Sequence, residues 1–180
     1  MSRAVKNPEK TAAEMREFMM QTILLYNENI NNHPNDLPIM AMLIDPKVSQ
    51  VLLTAHDTRV STGHPLNHAV MNLLSKLSKH FLSQPAQKAS DGEEEQYYAQ
   101  MYDVYTTHEP CTMCCMALVH SRIRRLIFWK PTKTGARELG WMKGDEEDPT
   151  LNHRYLCFEG IEGALEEGNK VVELDSDVYA

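Results

Sequence analysis

The sequence predicts an α/β protein, a three-layer α/β/α sandwich around a five-stranded mixed sheet. Strand-length apolar runs alternate with segments of helical period in the order α-β-β-α-β-α-β-β-α, the pattern of a sheet covered by helices on both faces. A length of 180 residues suits one domain that buries its own core without disulfide staples. The hydrophobic share of 42 % is that of a soluble globular chain, and no apolar run approaches the length of a membrane span.

The elements follow in order. Asn7 before Pro8 reads as a helix cap with proline at the first helical position. Met15, Met19, Thr22 and Tyr26 then fall at helical spacing, with Phe18 and Leu25 beside them, which carries the first helix to about Asn31. His33-Pro34-Asn35 ends it. LPIMAMLI (37–44) and QVLLT (50–54) read as buried strands joined by a turn at Asp45-Pro46-Lys47. HPLNHAVMNLL (64–74) opens a second helix, on which Val70, Leu74, Leu77 and Phe81 form an apolar stripe. QPAQKASDGEEEQ (84–96) has the composition of a flexible surface loop. MYDVYTT (101–107) alternates like a strand, Cys111 to His120 is a short apolar helix, and Leu126 to Trp129 is a short strand. Pro131 to Pro149 is a polar loop, Tyr155 to Phe158 a last strand, and Ile161 to Leu174 a weaker final helix.

Charge bounds the function. Eighteen basic and 25 acidic residues give a formal charge of -7, which does not suit a self-sufficient nucleic-acid binder. The charge is uneven, however. Acidic runs stand at 91–95 and 145–148, whereas Arg122, Arg124, Arg125, Lys130, Lys133 and Arg137 fall in a stretch free of acids. That stretch reads either as a local contact surface for RNA or a partner, or as a solvated rim. The N-terminus has no apolar stretch of the secretory kind, so a cytosolic or nuclear protein is expected, and cysteines 111, 114, 115 and 157 are expected to be thiols or metal ligands.

The chemistry gathers at PCTMC. Cys111 and Cys114 lie three apart at a helix start, share a face, and can grip one ion. The positive end of the helix favours the thiolate. Cys115, four residues from Cys111, competes with Cys114 on spacing, and a redox Cys-x-x-Cys is a rival reading. Pro110, the strand leading in and His68 at the start of another helix favour zinc. Cys157 reads as a core thiol. His64 lies at the site mouth or in a plain loop, and His56, His80, His108, His120 and His153 read as structural.

HPLNHA, EPCTMCCMALVHSRIRRL and LNHRY, in that order and spacing, resemble the cytidine-deaminase superfamily and its tRNA adenosine deaminase branch, over roughly Leu37 to Gly168. The resemblance implies a cytidine-deaminase-like fold with Zn2+ on His68, Cys111 and Cys114. It also implies that the glutamate which handles protons in active members, two residues after the histidine, is replaced by Val70. In an active site zinc lowers the pKa of its water for attack on C6 of adenine, and the glutamate carries the protons. Valine can do neither, and loss of such a group costs about 10² to 10⁴ in rate. Glu109 belongs to the EPC motif and reads as structural.

Within the branch, the valine resembles the non-catalytic subunits of the eukaryotic heterodimeric enzymes that form inosine at the tRNA wobble position. That implies a catalytic partner of the same fold in a heterodimer, tRNA bound as part of the complex with Arg122, Lys130, Lys133 and Arg137 as candidate contacts, no membrane, and a nuclear and cytoplasmic location. It implies, too, that the chain is a single deaminase-like zinc domain over 1–180, without the N-terminal domain such subunits usually carry. The tail residues Asp175, Asp177 or the carboxylate of Ala180 are candidates to close the fourth zinc position. An autonomous deaminase with an unorthodox proton shuttle, and a zinc-stabilised interaction module unconnected to RNA, are the rival readings.

Overall fold

The computed structural model describes residues 8–83, 99–133, 135 and 153–160. Asn7, the loop 84–96, Arg137, the final helix expected over 161–174 and the tail residues Asp175, Asp177 and Ala180 lie outside the described residues.

The described chain runs α1 (Pro8–Asn32), β1 (Met40–Asp45), β2 (Gln50–His56), α2 (Arg59–Thr62), α3 (Ala69–Ser83), β3 (Asp103–His108), α4 (Thr112–His120), β4 (Arg125–Lys130) and β5 (Leu156–Glu159). The five strands form one mixed sheet in the order β2-β1-β3-β4-β5, with β1 antiparallel to β2 and β3, and β3, β4 and β5 parallel. The two-residue period of β1 sorts its side chains between two cores. Met40, Met42 and Ile44 pack with Met15, Phe18, Met19, Ile23 and Tyr26 of α1. Ala41 and Leu43 face the other way, against Leu73, Leu74 and Leu77 of α3 and Leu118 of α4. Three layers result, as the sequence predicts. Among the described residues, no helix is long and apolar enough to cross a membrane.

The differences from expectation have physical causes. β3 does not alternate between core and solvent: all six of its residues are buried, because it is central and helices cover both faces. Asp103 and Thr107 among its polar members are paired, the Thr107 hydroxyl accepting the Met40 N–H at 3.1 Å. The Asp103 carboxylate, 1 % exposed, accepts from Arg124 Nε at 2.7 Å and Arg125 Nε at 3.0 Å. The helix expected from HPLNHAVMNLL begins only at Ala69, since residues 64–67 form a turn closed by the Asn67 N–H donating to the His64 carbonyl. The short α2, ending at Gly63 in the left-handed conformation (φ 63°), was not expected.

The register fixes the place of the site. Met40 pairs with His56, Ala41 with Thr106, and His108 with Lys130, so the end of β2, the start of β1 and the ends of β3 and β4 share one edge of the sheet. The segments leading into α3 and α4 leave from that edge. In sheets of this kind ligand sites form beyond the carboxyl ends of the parallel strands.

Candidate metal centre

His68 and Cys111 occupy equivalent places on their helices. The His68 carbonyl accepts the Asn72 N–H at 2.9 Å and the Cys111 carbonyl accepts the Cys115 N–H at 3.0 Å, so each is the residue on which its helix starts. Two positive helix ends therefore meet at one point, which stabilises thiolate there. Cys114 stands one turn into α4 on the face of Cys111. One ligand atom from each of His68, Cys111 and Cys114 lies within 4.8 Å of the others. Cys111 Sγ is 3.7 Å from His68 Nδ1. A tetrahedral ion with Zn–S of about 2.3 Å and Zn–N of about 2.0–2.1 Å would set those atoms about 3.6 Å apart, so this pair already has the separation zinc needs.

The sulfurs are electrostatically distinct. A hydrogen bond from the Cys114 thiol, with His68 alongside, holds Cys111 down at about 4 despite its partial burial. The same bond and burial push Cys114 well above the usual thiol range. The shared bond thus favours the thiolate on Cys111 and the proton on Cys114. Cys115 is turned away. Its thiol donates to the Pro110 carbonyl at 3.5 Å, and burial pushes it up to about 12 against its hydrogen bond with Tyr155. It is Cys114, not Cys115, whose sulfur lies with the ligand atoms of Cys111 and His68.

Val70, two residues after His68, is 4 % exposed and packs in the core cluster with Ala69, Leu73, Leu74, Cys114 and Cys115. Among the described residues, no carboxylate stands at its place. Glu109, 1 % exposed, is engaged elsewhere: its Oε2 accepts the Thr132 N–H at 3.0 Å. Gly135 lies flush against that carboxylate and pairs as a β-bridge with Cys111. Glu109 therefore braces the 131–135 segment against the start of α4, a structural role as its motif predicts.

The basic stretch is divided by the fold. Arg124 and Arg125 pair with Asp103. Lys130 ends β4 at the site edge and Lys133 follows it, exposed. Arg122, by contrast, lies at the far end of α4, in the tight connection to β4 where it takes φ 58°. Arg122 and Lys130 thus stand at opposite ends of β4. Arg137 lies outside the described residues.

Three polar contacts of the framework were not singled out in the sequence. Asn72 Nδ2 donates to the His56 carbonyl at 2.9 Å, to Thr58 Oγ1 at 2.9 Å and to the Asn67 carbonyl at 3.2 Å, which ties the turn before His68 to β2. Buried Asp57 accepts from Arg59 Nε at 3.0 Å. His153, expected to be structural, donates through Nε2 to the Ile123 carbonyl at 2.7 Å. A polar residue amid an apolar helical stripe was the one available hint of Asn72.

With this geometry in view, the comparisons are specific. The family described as cytidine and deoxycytidylate deaminase zinc-binding region matches residues 13–130. The chain belongs to that deaminase family. Among its relatives, the tRNA-specific adenosine deaminase subunit tad3 of Schizosaccharomyces pombe is 41 % identical over 122 residues, covering 67 % of this chain and 38 % of the relative. A Danio rerio protein named "Probable inactive tRNA-specific adenosine deaminase-like protein 3" is 37 % identical over 136 residues, covering 67 % and 40 %. The chain thus spans about two fifths of the length of these curated relatives. A deaminase chain solved in work on A-to-I editing by tRNA:A34 deaminases at the wobble position of transfer RNA superposes with a TM-score of 0.60 at 24 % identity, covering 81 % of this chain and 98 % of that one. This bears out the deaminase fold.

Proposed function

We propose that this chain is the non-catalytic, zinc-binding subunit of a tRNA adenosine deaminase that forms inosine at the wobble position. His68, Cys111 and Cys114 hold the ion, and a catalytic subunit of the same fold performs the chemistry. One observation carries the reading: a buried Val70 stands where a zinc deaminase needs its proton-carrying glutamate. Glu109, the carboxylate beside the cysteines, is committed to Thr132. Zinc here supplies binding energy that fastens the starts of α3 and α4 together, since a site assembled only in the folded chain stabilises that chain. The names of the relatives support the assignment to tRNA modification.

Lys130 and Lys133, at the site edge, are the side chains suited to meet tRNA phosphates in the complex. Reversing their charge together with Arg137 weakens tRNA binding by the complex; equal affinity at low and moderate salt removes them from that role. The same reading gives the subunit a nuclear and cytoplasmic location, checked by imaging the tagged full chain.

The deciding experiment measures inosine in whole tRNA with this chain alone, the catalytic partner alone, and both. Activity is expected only from the pair. Robust deamination by this chain alone overturns the proposal.

A further inference from the structure

A second set of ligand-type side chains converges away from the cysteines. After α1 the turn His33-Pro34-Asn35-Asp36 is closed by the Asp36 N–H donating to the His33 carbonyl at 3.1 Å. Proline in the second place presets such a turn, so His33 and Asp36 are presented together. The ring of His56, at the end of β2, stacks on that of His33 with centroids 4.6 Å apart and planes inclined by 19°. Asp36 is fixed from the other side, its Oδ1 accepting the Ser61 N–H at 2.8 Å. Its Oδ2 stands 3.8 Å from His56 Nε2, too far for a hydrogen bond. One ligand atom from each of His33, Asp36 and His56 lies within 4.8 Å of the others.

We propose that His33, Asp36 and His56 form a second metal site, for a divalent transition ion of the zinc type. Two imidazoles and one carboxylate without a thiolate suit such ions rather than calcium or magnesium, and water completes the coordination. Nitrogen and oxygen ligands about 2.0–2.1 Å from a tetrahedral ion stand about 3.4 Å apart, so side-chain movements of less than about 1 Å close the set. His33 is exposed and His56 only half-buried, so a hydrated ion can reach the cluster from solvent. The charge supplied by Asp36 is already held in place by Ser61, so little ordering is needed on binding.

The ion would join three segments: the turn after α1, the end of β2 and, through Asp36 and Ser61, the short α2. Asn72 links the His56 carbonyl to α3, so this clamp bears on the segment that delivers His68. It does so without contributing a ligand to the cysteine centre, and the proposal does not depend on the assignment to tRNA modification.

The test counts metal. The full chain, stripped and then titrated with Zn2+ or Co2+, is expected to take up two equivalents. His33→Ala and Asp36→Asn weaken one of them by at least about tenfold, the scale of losing a metal-site partner. His33 is exposed and asparagine keeps the acceptor for Ser61, so both variants fold. Cys111→Ser with Cys114→Ser removes the other equivalent, the one whose cobalt form shows thiolate-to-metal charge transfer. A single equivalent that vanishes with the cysteines, or a second that ignores His33 and Asp36, overturns the proposal. A single equivalent that ignores the cysteines but needs His33 and Asp36 counts against the first centre and supports the second.

Discussion

Replacing Gly135 with alanine would set a methyl group 2.1 Å from Glu109 Cδ and 2.2 and 2.3 Å from its carboxylate oxygens. Carbon contacts settle at about 3.5 Å or more, so the carboxylate must retreat by more than about 1 Å. It has nowhere easy to go, being 1 % exposed and holding the Thr132 N–H at 3.0 Å. A shift of that size breaks the bond, and a hydrogen bond to a charged group is worth about 1.5–3 kcal/mol. For a chain of this size that is a fall in Tm of about 3–12 °C. Because Gly135 also pairs with Cys111, zinc affinity is expected to drop about tenfold, as when an outer support of a metal ligand is lost. Urea unfolding and zinc competition measure the two effects. The decisive control is the double-mutant cycle with Glu109→Ala, in which the room vacated by the carboxylate accepts the methyl group. The cost of Gly135→Ala should then fall towards zero. If the two costs instead add to within about 0.5 kcal/mol, the crowding account is wrong.

Three further outcomes are expected. Zinc binding to the stripped chain at neutral pH should release about one proton from the cysteine pair, because Cys111 is already a thiolate and Cys114 is not. The bound form thus carries one proton fewer and affinity rises with pH; calorimetry in buffers of different ionisation enthalpy that finds no release contradicts the assignment. Asp103→Asn leaves the Arg124 and Arg125 guanidiniums without their shared carboxylate and should cost about 3–5 kcal/mol in denaturant unfolding, a loss under about 1 kcal/mol being incompatible with a buried pair. Val70→Glu places a carboxyl in the core cluster and should lower the stability of the zinc-free chain by about 2–5 kcal/mol without producing inosine; turnover by this variant alone would show that a single residue had silenced the site.

Much of the fold is written locally. The stripe of α3 and the methionines of α1 give their helices by period, and the apolar runs give four of the five strands within a few residues of their observed limits. The alternation of 101–107 gives β3 its place but not its burial on both faces, which depends on which strands flank it and on the helices above and below. The sequence by itself also brought out the candidate metal residues and the valine beside them. His68, Cys111 and Cys114 lie at helix starts and one turn in, a relation of neighbours along the chain, and the substitution at Val70 is visible in a single letter. Only the tertiary structure decided the rest. It turned Cys115 towards Pro110 and Tyr155, drew Arg124 and Arg125 onto Asp103, and left Arg122 at the opposite end of β4 from Lys130. It set Gly135 against Glu109 and His56 against His33 and Asp36. Those pairings join residues tens of positions apart, and their contact is fixed by sheet register and layer packing, which no spacing along the chain encodes.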